Sequence, residues 1–300
     1  MAVKQAAGTD EEGAVAALIA ASAALLKRRR DGPPKNFVEG LFSHAVPEDL
    51  LRYQLQDIVL LAEAAWSFIA NRAPGETKVR CVAAETLGAA GSLKAISVLE
   101  VFNDDMPFLV DSVMAEVTER GLDISLVTHP VFTVARDKAG RLTAFHGAQG
   151  PAGRGLRESF IHIHIERIGD AQRAEIVQAV EKVLADVRVC VADWRAMQAR
   201  AGELIADLRA YPPPLPVGEI AETVQFLEWL AANNFTFLGM RDYVFTGSAD
   251  VLEPRYETGL GLLRAREMRE LRRGTEAVIV TPEIRAFLEE PKLLIVAAAR

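Results

Sequence analysis

In the segment "NDDMPFLVDSV", Asn103–Val113, acidic residues and a proline separate an extended apolar segment from a helical one. Before it, "LKAISVLEVF" (93–102) has the composition of a β-strand. After it, apolar residues recur at helical spacing up to Gly121, which suits a helix end. One of the three leading polar residues is expected to cap the helix, with Pro107 in its first turn. The stretch therefore predicts a strand–turn–helix junction.

The segments that follow predict an antiparallel sheet. "LDISLVTHPVFTVARD" (122–137) is extended and interrupted by a proline, and its turn leads to the return strand "RLTAFHG" (141–147). A glycine-rich loop (147–155) precedes the alternating "ESFIHIHIER" (158–167), and 170–208 reads as one helix or two. This order is that of a ferredoxin-like βαββαβ unit, an α+β fold with helices on one face of the sheet.

The rest of the chain predicts a lead-in and a second domain. The lead-in is helical: 14–30 is alanine-rich and ends in four cations, and a long helix begins with Pro47 at its first position. "YPPPLP" (211–216) is a stiff connector. Beyond it a second α+β domain begins, which ends inside the apolar run "KLLIVAAAR" and which we expect to be truncated. The expected divisions are 1–80, 81–210 and 217–300.

Composition excludes several classes of protein. The chain has 34 basic and 41 acidic side chains and a net charge of -7, which gives no general attraction to nucleic acid or to anionic membranes. Cys81 and Cys190 are far apart and predict neither a disulfide framework nor a cysteine metal site. A cytoplasmic globular protein without nucleic-acid or membrane partners is expected.

The acidic turn is the candidate ligand site, and two interpretations stand. In one, its polar residues only cap the helix, and Asp111 faces solvent or a neighbouring chain. In the other, exposed amides at the helix N-terminus hold an anionic group, while the carboxylates disfavour phosphate and favour an ammonium group. An amino acid meets both requirements. The candidate ligand-binding residues are Asn103, Asp104, Asp105, Met106, Pro107 and Asp111.

The alternating strand carries a weak candidate for a metal site. Period two directs the isoleucines to the core and places Glu158, Phe160, His162, His164 and Glu166 on the opposite face. Imidazole and carboxylate groups bind zinc or ferrous iron, so His162, His164 and Glu166 are the candidate ligands. A polar outer face or a subunit contact explains them without metal, and we favour it because no further ligand cluster is visible. No catalytic residues are predicted, since no nucleophile, base and oxyanion donors assemble.

The junction resembles the ACT regulatory domain, whose turn reads Asp-x-Pro-Gly-x-Leu with Gly-x-x-Ile after the helix. Asp105, Pro107, Gly121 and Ile124 match that pattern. The departure is Phe108, which stands where the pattern has glycine and would obstruct close backbone approach.

A longer motif series resembles the N-terminal region of the large bacterial NAD-specific glutamate dehydrogenases. The series is "FNDDMPFLVDSV", "THPVF", "ESFIHIHIER", "VADWRAM" and "LEWLAANNFTFLGMRDY". The resemblance implies an ACT-like domain, a PAS-like second domain, and no catalytic domain in this chain. It implies NAD and the conversion of glutamate to 2-oxoglutarate and ammonium for the whole enzyme, and no cofactor in this segment.

The resemblance further implies two partners, other copies of the chain in a homo-oligomer and a downstream catalytic domain. An amino-acid effector is a candidate third partner. Two alternatives remain. One is a stand-alone amino-acid-sensing ACT-type module, and the other is a small metalloenzyme built on the His-x-His-x-Glu strand.

Overall fold

The computed structural model describes residues 2–29, 32–88, 91–148, 150, 155–246, 251–265 and 278–279. The chain divides into two compact units, residues 1–185 and 186–300, and each is described separately. None of the described helices is long and apolar enough to cross a membrane.

A layer of four helices opens the first unit. They are α1 (Ala2–Leu26), α2 (Lys35–Phe42), α3 (Pro47–Leu50) and α4 (Leu55–Ile69). Pro47 occupies the start of α3 as predicted, but the single long helix expected after it is wrong. The chain breaks because Gln54 starts a new helix with a capping box, in which its backbone N–H donates to Asp57 Oδ2 at 2.9 Å.

The remainder of the unit is a six-stranded antiparallel sheet with two helices. In chain order these are β1 (Lys78–Ala83), β2 (Ile96–Asp104), α5 (Leu109–Glu119), β3 (Ile124–Thr128), β4 (Val131–Arg136), β5 (Leu142–Gly147), β6 (Leu156–Glu166) and α6 (Asp170–Ala210), which continues into the second unit. The strand order is β1-β2-β6-β4-β5, with β3 also paired to β6. The predicted α+β, ACT-like class is confirmed. Sequence reasoning missed β1, which alternates cations with apolar residues.

Both faces of the sheet are covered. Cross-strand partners share a face, so Phe102 and Phe160 lie on the side of the helical layer, where they join its core. The opposite face carries Leu99 and its partner Ile163. Leu99 also pairs with Cys81, and the charge of Arg173 on α6 acts on the pKa of the Cys81 thiol, so α6 lies on this side of the sheet. The core placement of the isoleucines is confirmed.

The prediction that β6 has a polar outer face is wrong. His162 and His164 are fully buried because the helical layer packs on them: Phe42 of α2 lies 6.2 Å from the His162 ring, centroid to centroid. Alternation correctly predicted which side chains share a face, but the face is buried rather than exposed.

The second unit contains α7 (Val217–Trp229) and an antiparallel sheet of β7 (Gly239–Thr246), β8 (Val251–Gly261) and β9 (Val278–Ile279). Asp193 of α6 fixes the end of β8 by accepting the N–H of Gly261 at 2.8 Å and the Arg264 guanidinium. The predicted terminal strand (292–300) lies outside the described residues, as does most of the glycine-rich loop.

Candidate functional site

The acidic turn joins β2 to α5 without a side-chain cap. The N-cap residue of α5 is Phe108, held at φ 69° and ψ 3° in the left-handed region, so the predicted capping by Asn103, Asp104 or Asp105 is wrong. Pro107 precedes the N-cap and therefore lies outside the first helical turn, where it was expected. The reason is that sheet pairing extends further than predicted: the Asp105 N–H still donates to Arg157 O at 3.0 Å.

The start of α5 has no side-chain cap from its N-cap residue. The first amides of a helix have no intrahelical acceptor, and they carry the positive end of the helix dipole. The N-cap residue, Phe108, makes no side-chain hydrogen bond to them. A carboxylate placed there would supply the missing acceptor.

Two carboxylates lie beside this helix end. Asp105 is exposed and accepts from Arg157 Nε at 3.1 Å, and Asp111 is exposed in the first turn of α5. Both act on His129: burial, the largest effect, lowers its pKa, and the negative charges of Asp105 and Asp111 partly oppose this, leaving the pKa below its usual value. His129 is therefore neutral near pH 7, with its Nε2 2.7 Å from Ser159 Oγ. Asp111 therefore adds negative charge beside the start of α5, while the charge of Asp105 is paired with Arg157.

The nucleophilic side chains described in the structure are shielded or unreactive. Ser159 faces a histidine near two carboxylates, but it is only 1% exposed within β6, so its hydroxyl is shielded from a substrate. The cysteines are poor nucleophiles, since burial raises the pKa of Cys81 to about 12 and also raises that of Cys190.

The structure separates the third carboxylate from the other two. Asp104 shares a face with Glu158, on the side of the helical layer, and its Oδ1 accepts from Arg72 Nη2 at 2.5 Å. Its charge is therefore compensated inside the protein.

The other predicted residues surround the turn. Asn103 is buried and its Oδ1 accepts from Thr77 Oγ1 at 3.2 Å, while Met106 is half-buried and Pro107 exposed. Of the six candidate ligand-binding residues, only Asp105 and Asp111 are exposed carboxylates beside the start of α5.

Sequence reasoning missed an ionic cluster under the turn. Glu158 is fully buried and accepts from Arg136 through both oxygens, each at 2.8 Å, and from Arg72 Nε at 3.0 Å. Arg136 also donates to the carbonyl of Ile69 at the end of α4, at 2.9 Å. The cluster joins α4, β4, β6 and the acidic turn. Its members are far apart in sequence, and no local signal identifies them.

The three metal candidates do not form one site. His162 and His164 are in contact, but Glu166 is exposed at the end of β6, where it accepts the Asp123 N–H at 3.3 Å. Across the part of the chain that the structure describes, no group of three histidine, cysteine, aspartate or glutamate side chains has a geometry suited to a metal ion.

The chain matches one family model and several known proteins. Residues 37–180 match the family model described as "Glutamate dehydrogenase, ACT1 domain". The NAD-specific glutamate dehydrogenase of Halomonas elongata is 34% identical over 206 residues, covering 68% of this chain and 13% of that protein. The one from Pseudomonas aeruginosa is 32% identical over 269 residues, covering 88% and 16%. The one from Mycobacterium tuberculosis is 28% identical over 205 residues, covering 65% and 12%. The chain thus spans only a small part of each of these relatives.

Proposed function

Since residues 37–180 of this chain belong to the glutamate dehydrogenase ACT1-domain family, we propose that the chain is a regulatory and oligomerising segment of an NAD-specific glutamate dehydrogenase. The whole enzyme would oxidise glutamate with NAD to 2-oxoglutarate and ammonium. This segment would not catalyse the reaction, and its partners would be other copies of itself and a downstream catalytic domain in the cytoplasm.

The observation that carries the regulatory role is the uncapped start of α5 beside Asp105 and Asp111. The α-carboxylate of a free amino acid would accept from the amides of α5, and its ammonium group would face the two carboxylates. Neutral His129 adds no competing positive charge. The effector class is therefore an amino acid rather than a phosphate or a nucleotide.

Calorimetric titration of the purified chain tests this assignment. The panel is glutamate, aspartate, arginine, 2-oxoglutarate and NAD. We expect saturable binding of at least one amino acid, weakened by about tenfold or more in Asp111→Asn, since one charged hydrogen bond is worth about 1.5–3 kcal/mol. Asp123→Asn is the matched control because Asp123 is exposed at the opposite end of β3. 2-Oxoglutarate has no ammonium group and should bind more weakly than glutamate.

The outcomes separate the parts of the proposal. Equal binding to Asp111→Asn and Asp123→Asn would move the ligand away from the acidic turn. If none of the five compounds binds, the proposed amino-acid effector is wrong and only the oligomerising role is left. Sedimentation of the purified chain tests that role directly. Oxidation of glutamate by the purified chain with NAD would contradict catalytic silence.

A stand-alone amino-acid sensor is the second candidate, because the same helix end would serve it equally well. Native length separates the two: an immunoblot of source lysate with a band at 32.7 kDa would favour the sensor, and a much larger band the dehydrogenase.

A further inference from the structure

A continuous chain of hydrogen-bonded side chains runs across the sheet face that the helical layer covers. His162 Nδ1 lies 3.0 Å from Glu100 Oε1, and its Nε2 lies 2.8 Å from Nε2 of His164. His164 Nδ1 lies 2.7 Å from the hydroxyl of Tyr53, which stands between α3 and α4. Glu100 also pairs with Arg80 of β1. The two histidines are fully buried, so water cannot replace a lost partner.

The contact between the two Nε2 atoms requires one shared proton. Two ring nitrogens at 2.8 Å form a hydrogen bond only if one carries hydrogen and the other a lone pair. Burial raises the pKa of Glu100, but the hydrogen bond and charge of His162, together with Arg80, outweigh it and leave the pKa below its usual value. Glu100 is therefore an ionised acceptor, and His162 Nδ1 must carry hydrogen.

The chain has two complete hydrogen-bonding patterns. In the neutral pattern, Tyr53 donates to His164 Nδ1, His164 Nε2 donates to His162, and His162 donates to Glu100. With one added proton, the direction between the rings reverses: His162 becomes an imidazolium, and His164 Nδ1 donates to the hydroxyl of Tyr53. Ser125, a hydrogen-bond partner of that hydroxyl, can then accept the hydrogen bond that the Tyr53 O–H donates.

A second added proton breaks the chain. Both Nε2 atoms would then carry hydrogen, and two imidazolium rings with centroids 4.8 Å apart would repel each other. We propose that the His162–His164 pair is a proton-operated latch that holds the helical layer on the sheet through Tyr53 while one Nε2 proton is shared, and releases it when both rings are protonated.

The surroundings of the pair offer no compensation for a second positive charge. Glu100 is already shared by Arg80 and His162. The other neighbours are apolar or uncharged: Phe42 from α2, Phe160 from β6, and Val98, Leu126 and Thr128 from the strands beside the two histidines. The groups acting on Tyr53, of mixed sign, are Asp49, Arg52 and Asp57. Burial, reinforced by the charge of His162, holds the pKa of His164 well below its usual value, so the second proton enters only at acid pH.

Fluorescence of Trp66 during a pH titration tests the latch. Trp66 lies in α4 and packs 5.0 Å from Phe37, centroid to centroid, so it reports on the helical layer. Replacing Trp194 and Trp229 with phenylalanine makes Trp66 the only tryptophan signal, since the chain has three tryptophans. We expect a reversible transition on acidification in the full chain.

Three variants decide whether the pair causes this transition. His164→Asn should abolish it, and Tyr53→Phe should remove most of its amplitude because the pair then has lost its hydrogen bond to the layer. His44→Gln is the matched control, since His44 is an exposed histidine in the same layer, and it should leave the transition unchanged. A transition that persists in His164→Asn, or that disappears in His44→Gln, would overturn the proposal.

Nitrogen NMR of the histidine rings in the unaltered protein keeps the test independent of folding by the variants. At neutral pH we expect His162 to carry hydrogen on Nδ1, His164 to accept at Nδ1, and one hydrogen between the two Nε2 atoms. Two bare Nε2 atoms at neutral pH, or full protonation of both rings with an unchanged Trp66 signal, would contradict the latch.

Discussion

Replacing Glu158 with glutamine tests the ionic cluster under the acidic turn. Its two arginines and two carboxylates sum to zero charge, and the side chains of Glu158, Arg72 and Arg136 are at most 4% exposed. Glu158→Gln leaves one uncompensated positive charge among buried groups. Removing one partner of a buried ion pair costs about 3–5 kcal/mol, a large part of a total stability of about 5–15 kcal/mol.

Arg72→Met provides the contrast within the same cluster. It removes a guanidinium but leaves Glu158 bound through both oxygens to Arg136. Arg72 has two other acceptors: Asp104, whose side chain is 39% exposed, and the carbonyl of the exposed residue Glu76, and both can be hydrated. The loss should be about 1.5–3 kcal/mol, typical of hydrogen bonds to charged groups.

Urea unfolding at neutral pH, followed by Trp66 fluorescence with Trp194 and Trp229 replaced by phenylalanine, measures both free energies in the first unit. Because Glu158→Gln leaves a buried uncompensated charge, it should lower the free energy of unfolding more than Arg72→Met. An equal or smaller loss than in Arg72→Met, or a loss below about 1 kcal/mol, would refute it.

Three further predictions follow from backbone geometry and from pH. Phe108 has φ 69°, and only glycine adopts this conformation freely. In urea unfolding, the free energy of unfolding of Phe108→Gly should therefore exceed that of Phe108→Ala by about 1 kcal/mol; equal stabilities would contradict this. Gly140 and Gly75 both have positive φ, but an added Cβ at Gly140 would lie 2.3 Å from Arg72 O, whereas Gly75 faces open space, so Gly140→Ala should lower the thermal midpoint more than Gly75→Ala. The pKa of His164 is lowered on folding, so on acidification the unfolded chain protonates at His164 before the folded chain does. The free energy of unfolding should therefore fall as the pH drops below about 6.5, by up to about 1.4 kcal/mol per pH unit. In urea titrations, His164→Asn should make this pH dependence weaker.

Local patterns predicted most of the secondary structure. The junction at 103–113, the end of α5 before Gly121, and the alternation of β6 were read correctly because each depends on neighbouring residues. Two predictions were wrong where two local signals compete. The continuous apolar stripe predicted one helix from Pro47, although a capping box at Gln54 starts a new helix. The acidic run predicted a helix cap, although the backbone of Asp105 still pairs with the sheet. Sheet pairing is a long-range interaction that no local pattern encodes.

The acidic turn shows what the sequence alone determined. Its composition and position before a helix predicted an anion-binding helix end with carboxylates beside it, and alternation placed His162 and His164 on one face of a strand. Long-range packing set the partners of the aspartates and the burial of the histidines. It turned Asp104 toward Arg72, left Asp105 and Asp111 at the helix end, and buried the histidines. The reason is physical: periodicity fixes which side chains share a face, but burial and charge compensation depend on what packs against that face, and here those partners come from distant parts of the chain.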